Sequence, residues 1–356
     1  MKARFLDGGY DTAARAHRIV HRRRGPRGIF TALYDAAARR LHVVRADGSV
    51  PNPSFLSCGN GRLYAAHELD DRSCMAVYAE GDDGALVCRG VCGEPTEAGT
   101  CFVEASVDGR RLYGANYESG SISCCTLTQD GRPSGGLPAV HHEGSSAHPE
   151  RQRSAHVHSI RFVPGTNVLA AVDLGIDAIA LYRADASGAL EVPPVASVAT
   201  PPGSGPRMLA FHPRLRLAAL VDELACDVAF YEFDRTGMRW RCVDRQLLPV
   251  AGATEEPLAA HPAFSPDGRR LYVSVRGSDR IALFALDDDG RVESRVDFGS
   301  GGRGPRHIAL DPSGSLLAVA NVASDDACVF ELDPLTGEPR NEAHADVPRA
   351  ACVVWE

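Results

Sequence analysis

Short stretches of alternating apolar and polar residues, separated by turn sequences, run through the chain. In one clear stretch, residues 271–275 alternate, Gly277-Ser278-Asp279 predicts a turn, and residues 281–286 alternate again. Alternation with a period of two over five or six residues is typical of β-strands, and these windows lack the spacing of an amphipathic helix. The pattern therefore predicts an all-β protein.

This pattern of strands and turns recurs as an internal repeat. Residues 107–113, 265–272 and 311–317 are three copies of one motif, and looser copies lie elsewhere in the chain. Taking the first apolar residue after each turn as an anchor, we find gaps of 49, 57, 49, 53 and 46 residues. Self-similarity at this period predicts a β-propeller, in which similar sheets surround a central channel. The six anchors are Leu63, Leu112, Leu169, Ala218, Leu271 and Leu317.

The two ends of the chain lie outside these six copies. Residues 28–34 and 350–355 each have a strand pattern but no complete repeat around them. Because a ring needs its sheet edges closed, we expect the N- and C-terminal strands to close one blade of a seven-bladed β-propeller. The whole chain, residues 1–356, is then a single propeller domain. A six-bladed ring with ragged ends is the alternative.

Charge and apolar content limit the partners of the protein. The formal net charge of −8 argues against a general nucleic-acid-binding protein, and the run His21-Arg22-Arg23-Arg24 is interpreted as a solvated loop. The first ten residues lack the apolar core of a signal peptide, and no apolar run reaches membrane-spanning length. We therefore expect a soluble, cytoplasmic protein with no nucleic-acid or membrane partner.

The eleven cysteines form no recognisable metal motif. They contain no CxxC pair, and the close pairs Cys88/Cys92 and Cys124/Cys125 have no partner motif at zinc-finger spacing. Free thiols and no metal site are the expectation.

The 57-residue gap contains a polar segment, residues 141–153, without a strand pattern. In a scaffold that spaces its blades evenly, an insertion rich in His, Glu and Arg is more often a functional loop than a core element. A mobile surface excursion is the alternative interpretation.

Aligning the copies places chemically active residues at two positions of the repeat. The residue eleven positions before each anchor falls at the start of the innermost strand, and these residues are mostly polar. Polar groups there are costly unless they line a wet cavity or bind a ligand, so we expect a site at this end of the channel. The residues are Asn52, Cys101, His158, Arg207, Ala260 (followed by His261) and Arg306.

The residue five positions after each anchor follows the second strand. We expect it to lie on the same face of the propeller as the first set of residues, or on the adjacent face. Glu223 and Arg276 come from successive blades and can pair, either as a structural ion pair or in catalysis. His156 and His158 lie on one face of a strand, where acid/base use is favoured over metal binding, and His156 alone reads as a hydrogen-bonded scaffold residue. The set is Glu68, Tyr117, Leu174, Glu223, Arg276 and Val322.

With these residues, the chain resembles the lactonase family of seven-bladed propellers. That family includes the propeller-type 6-phosphogluconolactonases and the fungal 3-carboxy-cis,cis-muconate lactonising enzymes. The first blade is the poorest match, with only residues 9–12 and 28–29 recognisable. The main matching stretches are residues 52–56, 114–121, 142–145, 151–152, 156–159, 173–177, 205–207, 212–213, 223–224, 276–277, 305–307 and 311–314.

The resemblance implies the roles of four residues. In that family a histidine of the His-x-His stretch, the arginine of Gly-Pro-Arg, the glutamate sixteen residues later and a further arginine are implicated in the site. These correspond here to His158 (or His156), Arg207, Glu223 and Arg276.

The resemblance also implies hydrolysis of a sugar-acid lactone, such as 6-phosphogluconolactone, without a cofactor. Glu223 or His158 would be the general base, and Arg207 and Arg276 would stabilise the oxyanion or hold the phosphate. Alternatives are lactonisation of a carboxylated muconate in the same basic pocket and a non-enzymatic interaction platform. A calcium-dependent lactonase is disfavoured because the aligned positions offer mainly arginine and histidine. Further substrate-binding candidates are His156, Arg306, Arg151, Glu68 and His142.

Overall fold

A computed structural model describes residues 2–7 and 28–356 of the chain, and every regular element in this part is a β-strand. No helix within these residues is long and apolar enough to cross a membrane. Residues 9–12 and the run His21-Arg22-Arg23-Arg24 lie outside the described residues. The prediction of an all-β propeller is confirmed, because the strands form four-stranded antiparallel sheets arranged around a channel.

Six of the sheets, called blades 1 to 6, are each built from four consecutive strands, numbered here from the innermost outward. The seventh, called the terminal sheet, has the strand order β28-β1-β2-β3.

The terminal sheet contains β1 (Lys2–Asp7), β2 (Ile29–Asp35), β3 (Arg40–Asp47) and β28 (Ala350–Trp355). Blade 1 contains β4 (Pro53–Gly59), β5 (Arg62–His67), β6 (Met75–Glu80) and β7 (Leu86–Cys92). Blade 2 contains β8 (Thr100–Ala105), β9 (Arg111–Asn116), β10 (Ser121–Leu127) and β11 (Pro133–His141). Blade 3 contains β12 (Val157–Phe162), β13 (Val168–Asp173), β14 (Ala178–Arg183) and β15 (Ala196–Ala199). Blade 4 contains β16 (Pro206–Phe211), β17 (Leu217–Asp222), β18 (Asp227–Phe233) and β19 (Trp240–Leu247). Blade 5 contains β20 (Leu258–Phe264), β21 (Arg270–Arg276), β22 (Arg280–Leu286) and β23 (Val292–Gly299). Blade 6 contains β24 (Pro305–Leu310), β25 (Leu316–Asn321), β26 (Asp326–Leu332) and β27 (Pro339–Asp346).

Burial decreases from the second strand of each blade toward the outermost strand. Every residue of β13 and of β17 is buried, because both faces of these strands pack against neighbouring blades. The outermost strands, such as β23, alternate or are largely exposed. All six anchors lie near the start of a second strand and are buried, which explains why the repeat is visible as an apolar position after a turn.

The recurrent turn joins neighbouring blades as well as neighbouring strands. In blade 5, Asp267 accepts a hydrogen bond from the backbone N–H of Arg269, and Gly268 adopts a φ of +71°. His212 of blade 4 contacts the carbonyl of Gly268 through Nε2 at 2.9 Å, and a Cβ on Gly268 would lie 2.4 Å from that nitrogen. Glycine is therefore required at this turn both by its backbone conformation and by the adjacent blade.

The innermost strands of blades 1 to 6 share an irregularity at their starts. Between β16 and β17, Pro206 pairs with Asp222 and Met208 with Val221, so Arg207 has no partner in the ladder. The same shift leaves a residue unpaired in each of the other blades. A β-bulge turns the side chain of its extra residue in a new direction, and here it directs one residue per blade toward the channel end. The bulged residues are Ser54, Cys101, His158, Arg207, Ala260 with His261, and Arg306.

The expectation that all cysteines are free thiols is wrong. Cys92, at the end of β7, forms a disulfide with Cys125 of β10, so the bond joins blades 1 and 2. The two residues are 33 positions apart in sequence and meet only because the blades pack side by side. Spacing along the chain therefore held no signal for the pair. The other cysteines are free.

Candidate active site

The carboxylate of Glu223 lies at the centre of a cluster of arginines at the start of the innermost strands. Arg207 Nε lies 2.7 Å from Oε2 and Arg276 Nη2 donates to the same oxygen at 2.8 Å, while Arg151 Nη2 donates to Oε1 at 2.6 Å. Glu223 and Arg207 are 2% and 1% exposed. Three guanidinium groups from separate parts of the chain thus share one buried carboxylate. We call these four residues the arginine cluster.

Strand geometry explains how the cluster assembles. Glu223 follows the last residue of β17 and Arg207 is the bulged residue of the paired strand β16, so both leave the same end of one hairpin. Arg276 ends β21 in the next blade. Arg207 also donates through Nη1 to the carbonyl of Ala260, which fixes its guanidinium against blade 5. The structure therefore brings together residues from the two aligned positions identified in the sequence.

The arginines set the charge state of Glu223. Burial alone raises the pKa of a carboxyl group, but the charges of Arg276, Arg207 and Arg151 hold the pKa of Glu223 well below its usual value. Glu223 is therefore ionised at neutral pH. It has a low affinity for a proton as long as the three guanidinium groups contact it.

His158 lies beside the arginine cluster and is held neutral. Burial and the charges of Arg207 and Arg306 lower the pKa of His158 well below its usual value. Cys101 packs against this histidine, with its Sγ 3.3 Å from the His158 carbonyl and 4.0 Å from Nδ1. The imidazole is consequently uncharged at neutral pH.

The segment 141–153 places Arg151 over the channel end. Two buried carboxylates tie the segment down: Asp173 contacts His142 Nδ1 at 2.8 Å, and Asp177 accepts a hydrogen bond from Ser146. Gln152 Nε2 donates to the carbonyl of Leu174 at 2.8 Å. Arg151 itself remains 36% exposed in its side chain while it contacts Glu223. The segment is therefore attached at several points and reaches the cluster with one charged side chain.

Tyr117 connects this segment to His156, which precedes β12, and to His158 of β12. Its ring stacks on His156 at 4.4 Å between centroids and contacts the edge of His158 at 5.5 Å. Arg151 Nη2 donates to its hydroxyl group at 3.4 Å. His156 Nδ1 lies 2.8 Å from the Tyr117 carbonyl, so His156 is bonded to the scaffold, as the sequence suggested for this residue taken alone.

The remaining sequence candidates occupy different surroundings. Arg306 is a half-buried bulged residue whose charge lowers the pKa of both His158 and Arg276, which places it near the cluster. Glu68 follows β5, and its charge, after burial, raises the pKa of Cys101. His142 contacts Asp173 and stacks on Tyr182 of β14 at 5.7 Å, so its observed contacts attach the segment to blade 3.

Two details of the alignment differ in the structure. In blade 1 the bulged residue is Ser54, whereas Asn52 precedes β4 and donates from its side chain to the carbonyl of Glu68. Counting eleven residues back from Leu63 gives Asn52, which lies two residues before the bulged Ser54. The structural importance of Asp173 and Asp177 was also missed, although both belong to the family-like stretch 173–177.

A second pair of buried histidines lies next to the bulged residues of blades 5 and 6. The rings of His261 and His307 are 3.7 Å apart, and Phe55 contacts His307 edge-on at 5.4 Å. Burial and the charges of Arg207 and Arg161 lower the pKa of His307 to about 3. The pKa of His261 is also lowered, by burial and by His307. The channel wall therefore contains neutral histidines beside charged arginines.

The donor set of the arginine cluster favours an anionic ligand. Guanidinium groups bind carboxylate and phosphate oxygens in bidentate fashion, while a metal ion such as Ca²⁺ requires several free oxygen ligands. Glu223 already shares its oxygens among three arginines. The cluster therefore has the donors that a negatively charged ligand requires.

Comparison with known proteins agrees with this geometry. The family model described as "Lactonase, 7-bladed beta-propeller" matches residues 14–355. The chain belongs to this lactonase family.

A 6-phosphogluconolactonase of Bacillus subtilis (strain 168) is 28% identical over 336 residues, which cover 92% of this chain and 94% of that protein. A 6-phosphogluconolactonase of Yersinia enterocolitica is 28% identical over 307 residues, covering 84% of this chain and 85% of its own. Among solved structures, the periplasmic gluconolactonase of Pseudomonas aeruginosa superposes with a TM-score of 0.87 at 28% identity, covering 99% of each chain. The family resemblance inferred from the sequence is confirmed.

The buried histidines predict a loss of stability in acid. In the unfolded chain His307 binds a proton near its usual pKa of 6.5, but in the folded protein only near pH 3. Between these pH values the unfolded state holds the extra proton, so the free energy of unfolding should fall by up to about 1.4 kcal/mol for each pH unit below 6.5 from this residue. We expect His307→Gln to lose less stability than the wild type between pH 7.5 and 5.5 in urea unfolding. Equal losses in the two proteins would contradict the assignment of a neutral buried His307.

Proposed function

We propose that this lactonase hydrolyses the ester of a phosphorylated sugar-acid lactone, such as 6-phosphogluconolactone, and uses no cofactor. The observation that carries the proposal is the arginine cluster, in which three guanidinium groups converge beside the neutral His158. The names of the Bacillus and Yersinia relatives point to the same substrate.

The charge of the site favours a substrate that carries a permanent negative charge. The arginine cluster itself contains three guanidinium groups, from Arg151, Arg207 and Arg276, around the single carboxylate of Glu223. Buried arginines without full compensation are costly, and a phosphate would lower this cost while forming charge-assisted hydrogen bonds. Arg151, the most exposed member of the arginine cluster, is suited to the phosphate, and the less exposed Arg207 and Arg276 are suited to the reacting carbonyl.

Hydrolysis of a lactone requires three events at one carbonyl carbon. A base takes a proton from water as the water oxygen bonds to this carbon, and negative charge develops on the carbonyl oxygen. The guanidinium group of Arg207, held by Glu223 and by the Ala260 carbonyl, would stabilise that oxyanion. The ring C–O bond then breaks, and the departing ring oxygen receives a proton to become a hydroxyl group. The product is an open-chain carboxylate.

We propose that His158 is the general base and that Glu223 orients the arginines. His158 is neutral and has no ion-pair partner to displace, whereas Glu223 must lose contact with guanidinium groups before it can hold a proton. An anionic substrate would offset the charges of Arg207 and Arg306 that depress the pKa of His158. Binding the correct substrate would therefore make this histidine a stronger base at the moment it is needed.

The direct test compares turnover of three compounds by the purified protein, with and without a chelator. We expect hydrolysis of freshly prepared 6-phosphogluconolactone, weaker hydrolysis of unphosphorylated gluconolactone and no dependence on the chelator. No hydrolysis of either lactone would overturn the proposal. Reaction of 3-carboxymuconate in its place would identify a lactonising enzyme that uses the same pocket.

Two substitutions test the roles of His158 and Glu223. We expect His158→Gln to lower kcat by about 10² to 10⁴-fold, because a general base is removed. Glu223→Gln should lower kcat by at least about 10²-fold and also lower the melting temperature, because it leaves buried guanidinium groups without their carboxylate. His42→Gln and Glu293→Gln, at exposed positions, are matched controls and should change neither quantity. A fully active His158→Gln variant would remove His158 from the role of base.

We also propose that the terminal sheet closes a seven-bladed ring. Support comes from the antiparallel pairing of Phe5 with Val353 between β1 and β28, and from the packing of β28 against β4 and β24. Deleting residues 350–356 should then expose the edge of β1 and lower the melting temperature strongly. The control is Glu356→Gln, which retains the strand and alters only the contacts of Glu356 with Arg4 and Lys2. A truncated chain that melts like the full chain would contradict ring closure by the termini.

A further inference from the structure

A group of metal-binding side chains lies on the outer two strands of blade 6, apart from the arginine cluster. Asp326 and Cys328 are two residues apart on β26, and Glu342 and His344 are two residues apart on β27. Cys328 pairs directly with His344 across the two strands. Because side chains two apart share a face of a strand, the four groups face the same side of this sheet.

The distances within the group are poorly explained by hydrogen bonds. His344 Nε2 lies 4.0 Å from Cys328 Sγ and 3.6 Å from Glu342 Oε1. The ligand atoms of all three residues lie within 4.8 Å of one another. The separation from Glu342 is too long for a hydrogen bond, and that from Cys328 is at the limit for a weak thiol contact. Nε2 thus faces two polar atoms without forming a strong bond to either.

The same distances are close to those between ligands of a tetrahedral zinc ion. With Zn–S of about 2.3 Å and Zn–N and Zn–O of about 2.1 Å, tetrahedral geometry separates sulfur from nitrogen by about 3.6 Å and nitrogen from oxygen by about 3.4 Å. Side-chain shifts of a few tenths of an ångström would bring His344 Nε2 to these distances from Cys328 Sγ and Glu342 Oε1, while the sulfur and the carboxylate oxygen lie within 4.8 Å of each other.

Asp326 holds the histidine in the orientation that such a site needs. Its Oδ2 lies 2.8 Å from His344 Nδ1, which leaves Nε2 directed toward Cys328 and Glu342. A carboxylate bonded to the far nitrogen of a ligand histidine fixes the tautomer of the ring and increases its affinity for metal. Asp326 is therefore a positioning residue.

The loop between blades 5 and 6 packs closely against the group. Gly301 in this loop has a φ of +73°, and a Cβ there would lie 2.6 Å from Cys328 Sγ and 3.3 Å from His344 Cε1. A side chain at position 301 would therefore clash with the sulfur and press on the imidazole, and glycine avoids this.

We propose that Cys328, Glu342 and His344 bind one zinc-class divalent cation, with water as the fourth ligand. The thiol proton of Cys328 is released to solvent when the metal–thiolate bond forms. The buried sulfur anchors the ion to β26, and the partly exposed His344 and Glu342 join the outermost strand β27 to it. The ion would act as a clamp on the outer edge of blade 6, independent of lactone hydrolysis.

The sequence alone does not reveal this group, because the spacing of Cys328, Glu342 and His344 matches no zinc-finger motif. The three residues meet through the register of β26 with β27. This register depends on the hairpin between them.

Titration of the untagged, metal-free protein with Co²⁺ and with Zn²⁺ tests the proposal. We expect one equivalent of Co²⁺ to produce a thiolate-to-cobalt charge-transfer band in the near ultraviolet and the visible bands of tetrahedral cobalt. Zn²⁺ should displace the cobalt and raise the melting temperature, because it binds only the folded protein.

Four variants distinguish a built site from general metal binding. Cys328→Ser should remove the charge-transfer band, and His344→Gln, at a side chain that is 41% exposed, should weaken binding at least tenfold. Asp326→Asn should weaken binding about 10 to 100-fold while the band still appears at saturation. The control Cys242→Ser removes an exposed thiol of β19 and should change nothing. Absence of the band in the wild type, or its persistence in Cys328→Ser, would overturn the proposal.

Discussion

The ionised carboxylate of Glu223 is the interaction on which the candidate site depends. It lies between guanidinium groups carried by blade 4, by blade 5 and by the segment between blades 2 and 3. Without a shared anion, these three cations would repel one another in a poorly solvated space. One carboxylate therefore makes it possible to concentrate positive charge at the channel end. The same positive charge, together with burial, lowers the pKa values of His158 and His307 and keeps these residues neutral.

The repeat determines where such a cluster can form. Bulges at the start of the innermost strands release one residue per blade from the ladder, and the following second strand ends at the same level. Blades 3 and 4 place His158 and Arg207 at the bulge, while Glu223 directly follows the second strand of blade 4 and Arg276 ends the second strand of blade 5. The same local geometry in successive blades thus supplies different chemical groups to one place.

The sequence could predict the features that depend on local residues, but not those that depend on packing between blades. Alternation and buried anchors depend on local residues, so the all-β propeller and the two aligned positions were accessible, and Glu223, Arg207 and Arg276 do meet. The Cys92–Cys125 disulfide and the tethering of the Arg151 segment depend on packing between blades, which no spacing along the chain encodes. The count failed in blade 1 for a local reason, because the stretch from the bulged Ser54 to Leu63 is two residues shorter than the stretch from Arg207 to Ala218.

The electrostatics of the channel end explain why an anion would alter the chemistry and not only bind. In the structure the positive charges of the arginines weaken both bases, since they stabilise ionised Glu223 and disfavour protonated His158. A phosphate near these residues would compete with Glu223 for Arg151. It would also screen the charge of Arg306. Both changes would raise the affinity of the site for a proton, so in the proposed mechanism the charge of the substrate would make His158 a stronger base. A neutral lactone would lack this effect even if it fitted the same space, and the resulting selectivity would appear in kcat as well as in KM.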